Sequence, residues 1–285
     1  MSIEKGVLYV VATPIGNLED FSPRAAAVLS GVDLVAAEDT RHSRPLLRHF
    51  GINTPLTAVH EHNEREVMDG LLTRLQEGQS IALISDAGTP LISDPGFPLV
   101  RECHRRGIKV SPIPGPSATV CALSVAGMPT DRFVFEGFLP AKSAARRARL
   151  KQLQRESRTL VFYESGHRIM ETLQDMREEL GDERPALLAR ELTKLYETLM
   201  GDSLAGLLQA IEKDPMQRKG EMVLLVEGIK EEEISGRAAE VERILGILLE
   251  ELPVKQAATL TARITGEKKN AIYKQALAIK EGAEE

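Results

Sequence analysis

Four stretches of this chain combine acids, hydroxyls, glycine and proline where a strand should end. The fullest runs Ser80 to Gly96, S-I-A-L-I-S-D-A-G-T-P-L-I-S-D-P-G. Ile81 to Ile84 reads as a buried strand. It breaks into a loop holding Asp86 and Asp94 among Gly, Pro and hydroxyl residues, longer than an ordinary strand-to-helix connection. Ser93 or Asp94 is expected to cap the next helix, with Pro95 in its first turn. The others are T-P-I-G-N at Thr13 to Asn17, E-D-T-R-H at Glu38 to His42 and P-I-P-G-P-S-A at Pro112 to Ala118. Asp86 and Asp94 supply negative charge, loop amides supply donors, and Gly and Pro let the backbone come close. Such loops suit a compact ligand, polar at several points and partly cationic.

Other chemistries find no support. No G-x-G-x-x-G follows a strand, and there is no G-x-x-x-x-G-K-[S/T] and no G-x-S-x-G. His60 and His62 stand beside Glu61 and Glu64 without partner spacing, so that stretch reads as a solvated face and no metal is expected.

The elements that must position these loops alternate. Strands are expected at Val7 to Ala12, Asp33 to Ala37, Leu56 to Val59, Ile81 to Ile84 and Ile108 to Ser111. Helices come between them. One starts at Ser22-Pro23 and stops at Gly31; another starts at Asn63, with Glu66 in capping-box position, and stops at Gly78. Ser117 is expected to cap a further helix. Alternation argues for a largely parallel sheet with helices on both faces, which opens all four loops on one edge. Met128 to Arg132 reads as a linker. A second α/β unit follows, with strands Phe133 to Phe138, Thr159 to Tyr163, Ala186 to Ala189 and Met222 to Val226, and a helix from about Ser203. The tail is helical. Val241, Ile244, Leu245, Leu248, Leu249 and Leu252 form one stripe, and two helices flank a turn at Thr265-Gly266. That pair reads equally as a helix-turn-helix or as a docking bundle or dimerisation arm. The expected domains are 1–127, 128–232 and 233–285.

The 285 residues are 42% hydrophobic and 27% charged, as in a soluble protein, and no apolar run approaches a membrane span. The start lacks a signal-peptide core, and Cys103 and Cys121 show no C-x-x-C spacing, so a reducing cytoplasm is expected. Net charge is −6, yet two segments are basic. Pro140 to Arg158 holds seven Lys/Arg and one acid, and Val254 to Lys280 holds six and one. Arg147, Lys151, Arg155 and Arg158 fall on one face if a helix runs through them. Such blocks can meet nucleic acid in an otherwise acidic chain.

The loops also carry a resemblance. V-A-T-P-I-G-N-L-E-D (Val11 to Asp20), A-E-D-T-R (Ala37 to Arg41), the Ser85 to Gly96 loop, P-G-P-S-A (Pro114 to Ala118), F-Y-E-S (Phe162 to Ser165) and A-R-E-L-T-K (Ala189 to Lys194) resemble the tetrapyrrole-methylase fold class of S-adenosylmethionine-dependent methyltransferases. The match is to the branch that acts on small-subunit ribosomal RNA. The resemblance implies two α/β domains with the cofactor cleft between them, a helical end domain and a homodimer. It implies S-adenosylmethionine near Pro14, Gly16, Asp86, Ala87, Gly88, Thr89, Pro90, Leu91, Ser117, Ala118, Tyr163, Glu164, Arg190 and Glu191. Two departures stand out. Gly88-Thr89-Pro90 lies where tetrapyrrole-methylating relatives carry Gly-Asp-Pro, and Pro14 and Gly16 keep only part of a G-x-G-P-G loop.

The implied reaction is 2′-O-methylation of a cytidine in the decoding region of 16S ribosomal RNA, on the naked RNA or in the small ribosomal subunit. Asp39, Glu164, Glu191 and Lys194 are candidate bases by loop position. Arg41, Arg44, Arg48, Arg147, Lys151, Arg155, Arg158, Lys268 and Lys269 are candidates for phosphate contact. The alternatives are a tetrapyrrole or other small-molecule methyltransferase of the same fold, and a non-catalytic RNA-binding protein.

Overall fold

A computed structural model describes residues 3–60 and 63–282, with backbone alone for 231–239 and 280–282. Glu61 and His62 lie outside the described residues.

The first sheet holds β1 (Val7–Val11), β2 (Leu34–Ala37), β3 (Leu56–Ala58), β4 (Ile81–Ile84) and β5 (Lys109–Ile113). Its order is β3-β2-β4-β1-β5, and every pair is parallel. The connecting helices are α1 (Pro23–Gly31), α2 (Thr40–His49), α3 (Glu64–Gln76) and α4 (Phe97–Arg105). Strand alternation divides the core. Val7, Tyr9 and Val11 of β1 pack with α1 on one face, while Leu8 packs with α3 and α4 on the other. β1 and β4 are central neighbours, so the loops at their ends open side by side.

Helix starts follow the expected chemistry in part. Ser22 Oγ accepts the Ala25 N–H as a cap should. The cap of α4 is instead Gly96, at φ +115°, with Pro98 in the first turn. Ser93 and Asp94 precede that cap within the loop, and neither is the cap residue. Asn63 stands at the start of α3 but bonds backward, accepting the His60 N–H and donating to the Ala58 carbonyl. Ser117 precedes α5 (Ala118–Val125) without a side-chain capping bond.

The second sheet holds β6 (Phe133–Phe138), β7 (Thr159–Ser165), β8 (Pro185–Arg190), β9 (Thr198–Ser203) and β10 (Glu221–Val226), in the order β6-β7-β10-β8-β9. Only β6 and β7 run parallel; the other pairs are antiparallel. The alternation of elements did not foretell this, because β9 carries no strand signal. It is an edge strand of half-exposed and exposed residues with no buried apolar run. α6 (Ser143–Leu153), α7 (Ile169–Leu180) and α8 (Leu204–Lys213) cover one face through Leu150, Leu173, Met176, Leu207 and Ile211. The other face packs against Ile15, Ala122 and Leu123 of the first half. The two sheets therefore share an apolar contact within one compact unit, which takes in residues up to Gln154 and Arg158–Glu227.

A second unit comprises Arg155–Ser157 and the chain from Gly228. In it α9 (Glu231–Glu251), α10 (Val254–Thr265) and α11 (Lys269–Gly282) enclose Leu245, Ala257, Ala258, Ile272 and Ala276. Gly266 ends α10 at φ +75°, a left-handed position that glycine adopts without a Cβ penalty.

Candidate active site

A cleft of about 390 Å³ opens where the β1 and β4 loops meet the inner face of the second sheet. That volume suits a small-molecule site. The loops are tied to each other. Thr13 and Gly88 exchange backbone hydrogen bonds of 2.8 and 3.1 Å. The Thr89 hydroxyl donates to the Pro116 carbonyl at 3.0 Å, joining the β4 and β5 loops. Gly88 sits at φ +82°, and a Cβ there would crowd Ile15 at 3.2 Å. Leu91 and Ser93 hold φ of +73° and +68°. A non-glycine residue in that region costs roughly 1–3 kcal/mol, and such strain gathers at functional loops.

Three carboxylates line the first sheet's side of the cleft: Glu38, Asp86 and Asp94. Asp86 Oδ1 accepts the Asp39 N–H at 3.1 Å, and the Asp86 N–H donates to Glu38 Oε2 at 3.4 Å. Burial pushes the Asp94 carboxyl up to about 6; a hydrogen bond from Ser85 opposes this, and the charges of Glu38 and Asp86 add to it. Glu38 is raised as well, by burial first, against the Asp86 N–H and with the charges of Asp86 and Asp39. A cluster of acids that resist ionising in a cleft marks a site built for something.

The second sheet supplies the opposite wall. The Tyr163 hydroxyl accepts from Thr119 Oγ1 at 2.9 Å, and burial raises the phenol despite that bond. Glu164 is 2% exposed and accepts from Thr172 Oγ1 at 2.6 Å and the Ser165 N–H at 2.8 Å. Lys194 Nζ donates to Glu191 at 2.9 Å and Glu221 at 2.8 Å. Burial works against its charge, but those two acids outweigh it and hold the ammonium above its ordinary range. Its stem packs under Gly16, where a Cβ would collide with it. Burial likewise raises the Glu191 carboxyl, and the Glu221 N–H and Lys194 more than offset it, so Glu191 is lowered.

The cleft gathers Asp86, Ala87, Gly88, Thr89, Ser117, Ala118, Tyr163, Glu164 and Lys194 from the residues expected by sequence. It does not gather Pro14, Gly16, Pro90, Leu91, Arg190 or Glu191. Pro14 and Gly16 flank Ile15, which does line it. Leu91 packs into the α3/α4 face. Arg190 is engaged with Gln217 at 3.0 Å. Asp39 also stands outside. It caps α2 through the Arg41 N–H and grips the Arg41 guanidinium, which together hold its carboxyl down to about 2.

Sequence reasoning missed Ile15, Glu38, Ile92, Ser93, Phe138, Ser165, Ala189, Leu192, Glu221, Met222 and Val223 as lining residues. Glu38 was legible as the first acid at the end of β2. Most of the others lie on strands whose exposure to the cleft depends on which face meets the first sheet.

The phosphate candidates fare unevenly. Arg44 and Arg48 are exposed along a surface groove with His49, Asn53 and Thr54, and neither has an ion-pair partner among the described residues. Arg41 borders the same groove, paired with Asp39. The single basic face expected through Arg158 does not exist, because α6 stops at Leu153. Arg147 pairs with Glu178 at 2.7 Å and Glu179 at 2.8 Å on α7. Lys151 remains exposed on α6. Arg155 pairs with Glu267, and Arg158 is exposed ahead of β7. Lys268 and Lys269 are exposed where α11 begins. No group of three or more His, Cys, Asp or Glu among the described residues could hold a metal ion.

The family model of the tetrapyrrole (corrin/porphyrin) methylases matches residues 7–208, from β1 into α8. The chain belongs to the tetrapyrrole methylases. In this methylase a second family model, the RsmI C-terminal HTH domain, matches residues 235–280. The methylase is 58% identical over 276 residues to ribosomal RNA small subunit methyltransferase I of Pseudomonas aeruginosa, covering 95% of this chain and 97% of that one. It is 56% identical over 273 residues to the protein of that name from Escherichia coli O157:H7, covering 96% and 95%. Among solved structures, diphthine synthase aligns with a TM-score of 0.58 at 14% identity, over 78% of this methylase and 89% of that chain. The methyltransferase CobJ aligns at 0.57 and 19%, over 78% and 94%. At those identities the likeness is one of fold.

Proposed function

We propose that this methylase transfers a methyl group from S-adenosylmethionine to the ribose 2′-oxygen of a cytidine in the decoding region of small-subunit ribosomal RNA. The observation that carries the ribosomal RNA reading is the similarity over 95% of the chain to a ribosomal RNA small subunit methyltransferase I. The domains in this reading are 1–127, 128–232 and 233–285, the last being the helical tail. The protein acts in the cytoplasm as a homodimer. Leu195, 87% exposed, and Tyr196, 70% exposed, offer apolar surface for a subunit contact. No helix among the described residues is long and apolar enough to cross a membrane.

The donor set of the cleft fits the cofactor. Glu38, Asp86 and Asp94 complement a cation, Ile15, Leu192 and Val223 offer an apolar wall for a planar ring, and Gly88 keeps the β4 loop close. When bound, S-adenosylmethionine supplies a methyl carbon activated by a positively charged sulfur. The protein's part is to hold both reactants in line and to receive a proton. Of the cleft acids Asp94 suits that second task best, since a carboxyl near 6 holds and releases a proton close to neutral pH. Lys194 is held cationic, Glu164 is occupied by Thr172 and Ser165, and Asp39 and Glu191 stand outside the cleft.

The test is methyl transfer from labelled S-adenosylmethionine to small ribosomal subunits and to naked RNA, followed by nucleoside analysis. The expected product is 2′-O-methylcytidine. Label in a tetrapyrrole and none in RNA overturns the reading.

A further inference from the structure

The last strand residue before α6 is aimed by a break in the pleat. Along β6, Val134 packs on the outer core with Leu150 and Leu173, while Phe135 packs on the inner face with Tyr163. Strict alternation would send Phe138 outward with Val134. The pairing with β7 prevents it. Phe135 stands opposite Val161 and Gly137 opposite Phe162, which leaves Glu136 as an extra residue and puts Phe138 opposite Tyr163. Bulges are uncommon between parallel strands, and they re-aim a side chain.

This bulge is held on both sides. Gly137 takes φ +63°, and a Cβ there would lie 2.8 Å from Ser93 Oγ of the strained β4 loop. Glu136 accepts from Arg149 Nε and Nη2, each at 2.8 Å.

The bulge thus leaves a phenyl ring, 56% exposed, in the lining of the cleft. Phe138 meets Tyr163 edge-on, with ring centroids 5.6 Å apart. Hydrogen-bond acceptors line the same cleft. Ser93 and Asp94 both belong to its lining, and Ser93 Oγ stands close to Gly137. A flat apolar face in a cleft that also presents carboxylate and hydroxyl fits a flat ring that carries amino donors at its rim. A nucleobase is such a ring, and single-stranded bases are bound by stacking on aromatic side chains. The geometry points to Phe138 as the platform on which the base of the methylated nucleotide stacks. This rests on the RNA reading above and adds to it the residue that positions the target.

The test uses the full-length protein with whichever RNA substrate the wild type methylates. Phe138→Ala is expected to raise KM for RNA roughly 5- to 150-fold, the span seen when alanine replaces an aromatic ring that stacks on a base. Its S-adenosylmethionine affinity should stay unchanged. Phe138→Leu, which keeps apolar bulk without a ring, should be impaired nearly as much, and Phe138→Tyr should recover. The chain has no tryptophan, so Phe138→Trp carries the only indole, and its emission should be quenched when the RNA binds. Unchanged RNA kinetics in Phe138→Ala, full activity in Phe138→Leu, or a fall in cofactor affinity in either overturns the stacking role while the RNA reading stands. No transfer to RNA by the wild type overturns the RNA reading, and the platform with it.

Discussion

Asp94 is half-buried in a strained loop, within reach of the charges of Glu38 and Asp86, so its charged form is disfavoured. Its folded value near 6 lies above the ordinary 3.8, so the native state binds the proton more tightly than the unfolded chain. The stability tied to that proton is fully present below about pH 4 and is lost as pH rises through about 6. Asp94→Asn should therefore raise the melting temperature at about pH 8 and make little difference at about pH 4. After discounting for solvent, the gain is about 1–2 kcal/mol. The same change should lower methyl transfer and remove an acidic limb near pH 6 from the rate profile. Melting curves at the two pH values and a pH–rate series check both halves. A variant that is less stable at pH 8 would mean that the carboxylate holds the loop instead of straining it.

At the scale of elements, the α6–α7 pair shows acids meeting the cations of a basic segment. Arg146 is 1% exposed, and its Nε donates to Asp175 at 2.6 Å, while Ser143 Oγ donates to both Asp175 oxygens at 3.0 Å. Removing the acid leaves the buried guanidinium only longer contacts, to the Ala141 carbonyl at 3.3 Å and to Glu171 at 3.5 Å, so Asp175→Ala should cost about 3–5 kcal/mol in urea unfolding. Arg147 is drawn to Glu178 and Glu179, so Arg147→Ala should leave the salt dependence of RNA binding as it is. α2 differs. Arg44 and Arg48 stand one helical turn apart with no acid to meet among the described residues, on a helix whose cap residue, Asp39, donates its N–H to the cleft acid Asp86. Changing both to Ala should flatten the salt slope by roughly one to two units. Binding titrations across a salt series separate the two helices.

At the scale of the molecule, every residue lining the cleft falls between Ile15 and Val223, inside the α/β unit. The helical unit carries its own core and its own exposed lysines. Removing 228–285 should therefore leave S-adenosylmethionine affinity in place, while methylation of ribosomal RNA falls. Calorimetric titration and a transfer assay on the shortened protein check this. Loss of cofactor binding along with methylation would assign the tail a structural part.

Much was written in local sequence. The all-parallel first sheet, the loops at Thr13, Glu38, Asp86 and Pro114, the Ser22 cap and the Gly266 turn all depend on short-range signals: alternation of elements, apolar runs, caps and glycine conformations. Those signals act within a few residues, so one chain suffices to show them. What only the tertiary structure decided depends on partners far away in sequence. Arg147 looked free until α7 brought acids to it. Lys194 and Glu191 were base candidates by loop position alone, and only the fold shows that Glu221 pairs with both, through its side chain and its backbone. Glu38 and Asp94 became a cluster only when β2 and β4 paired. Phe138 would face outward by alternation, and a one-residue bulge, pinned by Arg149 and by the loop at Ser93, turned it into the cleft. Charge and pleat can be counted along a chain, but whether a charge is met and which face a side chain takes are settled by whatever packs across from it.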